Sequence, residues 1–140
     1  MNVDEELPRL TRVVTRDDIR AYADVSGDRN ALHLDDDVAR QEGFDGVIAH
    51  GMFTMAHMAT CVVAWAGTDT FVERISGHFR ATVGVGDTIV AGGRVRAIEG
   101  DRATVDAWVQ VQRDGQTEWP VRKGEVVLKI GGVRRSAGGP

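Results

Sequence analysis

The sequence predicts an α+β fold in which a curved antiparallel sheet of about five strands wraps one long buried helix. Three observations predict it. Residues 46–68 (GVIAHGMFTMAHMATCVVAWAGT) contain no Asp, Glu, Lys or Arg, and from Gly51 to Trp65 the chain is apolar or small on every side, so the helix must be buried all round. Ala103, Val105, Ala107, Val109 and Val111 alternate with Thr104, Asp106, Trp108, Gln110 and Gln112, the period of a strand with one face on a core. Turn residues then divide the second half of the chain into short segments, and Asp114-Gly115 is a strong hairpin signal.

The elements follow in order. Leu10 to Val14 is a short apolar strand. Thr15 followed by Asp18 forms a capping box with Asp in place of Glu, opening a helix through Ile19, Tyr22 and Ala23 that stops near Gly27. Residues 28–48 mix acids, glycines and isolated apolar residues, a long excursion of the kind that carries function, with a short helical turn at Asp36 to Gln41. After the buried helix come strands over Phe71–Val83, Ile89–Ile98, residues 103–112 and Val121–Ile130, read as a four-stranded antiparallel meander. Residues 1–130 read as one domain, and the tail 131–140 (GGVRRSAGGP) as disordered.

Composition excludes several classes of function. The 17 Lys and Arg against 21 Asp and Glu leave a net charge of −4, with the basic residues scattered, which does not support nucleic-acid binding. Cys61 is the only cysteine, so an intramolecular disulfide and a multi-cysteine zinc site are both ruled out, in keeping with a reducing compartment. The opening MNVDEELPRL has acids and no signal-peptide core, and cytoplasmic residence is the default expectation. His50, His57, Thr54, Thr60 and several glycines interrupt the uncharged stretch, and no basic cluster flanks it, which argues against a membrane span.

The segment SGDRNALH, Ser26 to His33, brings an acid, an amide and an imidazole together. Gly, Asp and Asn are ordinary turn residues, and alone the segment reads as a turn. Joined to its neighbours it reads differently. YADVSGDRNALH (Tyr22–His33), IAHGMFTM (Ile48–Met55) and FRATVGVGDTI (Phe79–Ile89) resemble, in this order and separation, the MaoC-like (R)-specific enoyl-CoA hydratases and (3R)-hydroxyacyl-ACP dehydratases. Within them, SGDxN, HxDD and IAHGMxTM are similar to the catalytic subunit of the mycobacterial-type dehydratases. The resemblance implies the hot-dog fold, syn addition or loss of water on an enoyl thioester, and an R-configured 3-hydroxyacyl product. Ala31 stands where the family usually has proline, and Ala59, beside Thr60, where its better-studied hydratases have a serine that helps fix the water.

The reaction needs a base for water, an acid for the α-carbon and donors for the charge on the thioester oxygen. Asp28 is the candidate to take a proton from water, and His33 to hold that water and exchange its proton. Asn30 braces the loop by hydrogen-bonding backbone or catalytic side chain, and Ser26 supports it as part of the same motif. Gly51 opens the buried helix, where free amides favour an oxyanion and a missing side chain lets a thioester approach. His50 either orients the helix entrance or lines the pocket; Met52 and Met55 either fill core or line an acyl channel.

No metal or cofactor is called for: His50 and His57 lack a carboxylate partner at useful helical spacing, and DRNALHLDDD fails as a calcium loop. Arg80, Arg122 and Lys123 are either partners for phosphate or an acidic carrier protein, or a solvated strand face. The exposed edges of one curled sheet predict pairing with a second such unit, as homodimer or as heterodimer with a related hot-dog subunit. The substrate expected is an acyl-CoA or acyl-carrier-protein thioester. A thioesterase, or a subunit without turnover, are the alternatives on the same fold.

Overall fold

The computed structural model describes residues 1–131, so the tail read as disordered lies, apart from Gly131, outside the described residues. The chain runs β1 (Leu10–Val13), α1 (Arg16–Ser26), a 3₁₀ turn (Ala31–His33), α2 (Asp36–Gln41), α3 (Gly51–Ala66), β2 (Thr70–Phe79), β3 (Thr88–Glu99), β4 (Arg102–Arg113) and β5 (Gln116–Ile130). Thr15 caps α1 as expected: its hydroxyl accepts from Asp18 N at 3.1 Å, and Asp18 Oδ2 accepts from Thr15 N at 3.0 Å. Gly27, at φ 77°, ends the helix in the left-handed conformation that favours glycine.

One antiparallel sheet in the order β1-β3-β4-β5-β2 curls around α3. This is the hot-dog arrangement. The inward-facing residues Val105, Val109, Val126 and Leu128 bury Met58 and Val62 of the helix completely. Asp114 and Gly115 both have positive φ, the primed turn that their sequence demands between β4 and β5.

Two expectations are corrected. The four later strands are not a simple meander, because β2 pairs with β5 at the far edge and not with β3. The connection 80–87 instead lies along the segment before α3: Ala49 N donates to Val83 O at 2.7 Å, and Ile48 bridges Gly84. Arg113 pins this connection through Thr82 O and Asp87 Oδ2, both 2.5 Å from Nη2. Nor is α3 buried all round. Met52, Ala56, Thr60, Val63 and Ala64 are exposed in the single chain, since five strands enclose only part of a helix.

Candidate active site

The site is assembled where the loop after α1 meets the start of α3. Asp28 N donates to Ser26 Oγ at 3.1 Å, and Asn30 N donates to Asp28 Oδ1 at 3.2 Å, so the loop's own backbone orients the carboxylate. The amide oxygen of Asn30 accepts from Leu32 N at 3.0 Å and starts the 3₁₀ turn that carries His33. Ser26 and Asn30 therefore brace the loop through backbone contacts.

His33 is held from the other side. Its Nδ1 lies 2.7 Å from Ile48 O, and because a carbonyl only accepts, Nδ1 carries the hydrogen. In the neutral ring the lone pair is then on Nε2, which faces Asp28 Oδ2 at 4.0 Å. That separation is too long for a direct hydrogen bond and suits one bridging water. An oxygen about 2.8 Å from each would see them at roughly 90°, near the angle of its own two O–H bonds. His33 is largely enclosed and Asp28 largely open, leaving access from the acid's side.

His50, the residue before α3, is 3% exposed and lies under this pair. Its Nε2 donates to Asp28 O at 2.9 Å, its ring stacks on His33 with centroids 3.8 Å apart, and its Nδ1 is buried without a partner among the described residues. The ring of Tyr22 is 4.8 Å away. His50 thus touches both other groups, a closer role than sequence reasoning assigned to it. Asp28, His33 and His50 each offer one ligand atom within 4.8 Å of the others. A zinc ion with bonds of about 2.0–2.2 Å needs donors nearer about 3.3 Å apart, and stacked rings do not converge on one point, so the geometry does not fit that ion.

Gly51 and Met52 begin α3, and their amides have no intrahelical acceptor by position. The space beside Gly51 is taken by Phe79 of β2: a Cβ there would lie 3.3 Å from Phe79 Cε1. Phe79 was missed at the level of sequence, because only the β2–β5 pairing brings it to the helix mouth. Met52 is exposed, whereas Met55 is buried in the core against β2. Ala59 lies eight residues beyond Gly51, about 12 Å along the helix axis, too far to hold a water at the mouth. Thr60 donates to Ala56 O and lines a groove of about 400 Å³ with Tyr22, Phe53, Ala56 and His57. His57 Nε2 donates to Leu10 O at 2.9 Å, and burial pushes its pKa down.

A profile of the MaoC like domain matches residues 2–117. The chain belongs to the MaoC-like domain family. Among its MaoC-like relatives is the mitochondrial 3-hydroxyacyl-[acyl-carrier-protein] dehydratase of Arabidopsis thaliana, 41% identical over 90 residues, which are 64% of this chain. The match spans only about half of that relative, 52% of its length. The R-hydratase PhaJ1 from Pseudomonas aeruginosa superimposes with a TM-score of 0.82 at 27% identity, covering 93% of this chain and 82% of that one. The ChsH1-ChsH2 complex from Mycobacterium tuberculosis shares the fold with a TM-score of 0.84 at 21% identity, covering 92% and 98%. No helix among the described residues is long and apolar enough to cross a membrane.

Proposed function

We propose that this MaoC-like chain, as one domain over residues 1–130, interconverts trans-2-enoyl and (3R)-hydroxyacyl thioesters by syn addition or loss of water in fatty acid metabolism. One observation carries the reading: Asp28 Oδ2 and His33 Nε2, both acceptors, face one another across 4.0 Å, with the tautomer of His33 set by Ile48 O. A water donating to both is polarised towards attack on C3. As its oxygen bonds C3, one proton stays as the new hydroxyl and the other passes to the pair and on to C2. The carboxylate and imidazole end as they began. Both act from one side, which gives syn addition.

Negative charge on the thioester oxygen is met by the free Gly51 N–H at the positive end of α3. The acyl chain then follows the groove of Tyr22, Phe53, Ala56 and Thr60, which begins beside His50. The edge strand β2 and the open apolar face of α3 support pairing with a second hot-dog unit, identical or related. The structural neighbour ChsH1-ChsH2 is itself a complex of two named subunits.

Crotonyl-CoA and the chain purified with any co-purifying partner test the reading. The expected result is loss of enoyl absorbance with formation of (3R)-hydroxybutyryl-CoA and no free thiol. Thiol release without hydration would replace the reading by a thioesterase, and neither reaction on any enoyl thioester would reduce the chain to a subunit without turnover.

A further inference from the structure

His78, Arg80, Arg122 and Lys123 line one surface hollow of about 220 Å³. His78 and Arg122 are direct partners across β2 and β5, and therefore share a face of the sheet. Arg122 and Lys123 together oppose the single residue Trp108, because β5 carries a bulge between the Ala107–Gly124 and Val109–Val121 pairs. Lys123 holds a φ of 49°, in the left-handed region. A non-glycine residue in that conformation costs stability.

Several other arginines of the sheet are neutralised, Arg96 by Asp106 and Glu125, Arg102 by Glu73 and Arg113 by Asp87 and Glu118, whereas Arg74 of β2 has no carboxylate partner among the described residues. Among the described residues, none of the four around the hollow is in an ion pair with a carboxylate. A chain of net charge −4 thus groups these four basic residues around one hollow, where a multiply charged anion is the complementary ligand.

A second hollow of about 500 Å³ shares Arg122 and Lys123 and adds Trp108 and Trp119, whose rings meet edge to face at 5.7 Å. Trp108 can lie flat there because Gly92 has no side chain; a Cβ would be 2.4 Å from the ring. Half-buried aromatic surface next to basic groups suits a purine next to phosphates. Phe79, which touches Gly51, sits between His78 and Arg80 in sequence, on the opposite face, so this patch and the mouth of α3 are two sides of one strand end. A pantetheine arm has the reach of four or five extended residues, about 15 Å.

We propose that this patch binds the phosphate of the phosphopantetheine that carries the thioester, with the purine of coenzyme A, where that is the carrier, against Trp108 and Trp119. The inference rests on the hydro-lyase reading. The phosphate chemistry is shared by coenzyme A and by a carrier protein, and the patch is an anion subsite for either.

Calorimetric titration of the full chain with coenzyme A, phosphopantetheine and pantetheine tests it. The two phosphorylated ligands should bind about tenfold more tightly than pantetheine, and R80E/R122E should erase the difference. R80Q/R122Q, which removes charge without inverting it, should act in the same direction. Trp108→Ala should weaken coenzyme A and spare phosphopantetheine; equal loss of both would overturn the place given to the purine. Unaltered preference for phosphate in the arginine variants, or no preference in the wild type, would overturn the proposal. A loss confined to a carrier-protein thioester would overturn it in favour of an acidic protein surface. Phosphate preference that persists while no enoyl thioester is hydrated would overturn the hydro-lyase reading alone.

Discussion

The imidazoles of His33 and His50 stack with their centroids 3.8 Å apart, while His50 also donates to the backbone carbonyl of Asp28. One buried ring therefore fixes both the plane of His33 and the start of the loop that carries the acid. Removing it should loosen the pair without removing either member. His50→Ala is expected to lower kcat about tenfold, the worth of one orienting hydrogen bond, with a smaller change in KM. His50→Gln, which keeps a donor for Asp28 O, should recover part of the loss. Steady-state kinetics on crotonyl-CoA check both.

Gly124 shows how tightly the helix is wrapped. A Cβ at this position would lie 2.5 Å from Ala107 O and 2.6 Å from Met58 Sδ. The first contact is backbone and cannot swing aside. Gly124→Ala should cost about 1–3 kcal/mol, read by thermal denaturation as a Tm lower by several degrees.

His57 sets a pH dependence of stability. Burial lowers its pKa below 6.5 in the fold, so the unfolded chain binds the proton more readily. Its contribution is present above about pH 6.5 and is lost as pH falls below that value. Tm measured from about pH 7.5 to about pH 5 should therefore fall, and fall less in His57→Gln, which keeps a donor for Leu10 O but does not titrate.

Much of this architecture is legible in the sequence because it is specified locally. Thr15 and Asp18 cap α1, Gly27 ends it, and Asp36 to Gln41 forms α2, each set by residues a few positions apart. The approach of Asp28 to His33 follows from a loop of six residues. What was not legible depends on distant pairing. The turn residues at 84–87 put the end of this strand at Val83, four residues past its actual end at Phe79, and do not say that it joins β5 across the sheet, and so neither the ring of Phe79 over Gly51 nor the facing of His78 and Arg122 could be foreseen. The open face of α3 was missed for a related reason. Apolar residues all round a helix require cover, and they do not say that it all comes from the same chain.

A double-mutant cycle on Asp28 and His33 tests most directly whether the two act on one water. Asp28→Asn and His33→Ala should each lower the rate of crotonyl-CoA hydration by about 10²–10⁴ while circular dichroism stays that of the folded chain. Groups that serve one step are not additive, so the double variant should be little worse than the poorer single one. Losses that multiply in the double variant, or single variants that hydrate crotonyl-CoA as the wild type does, would contradict the account.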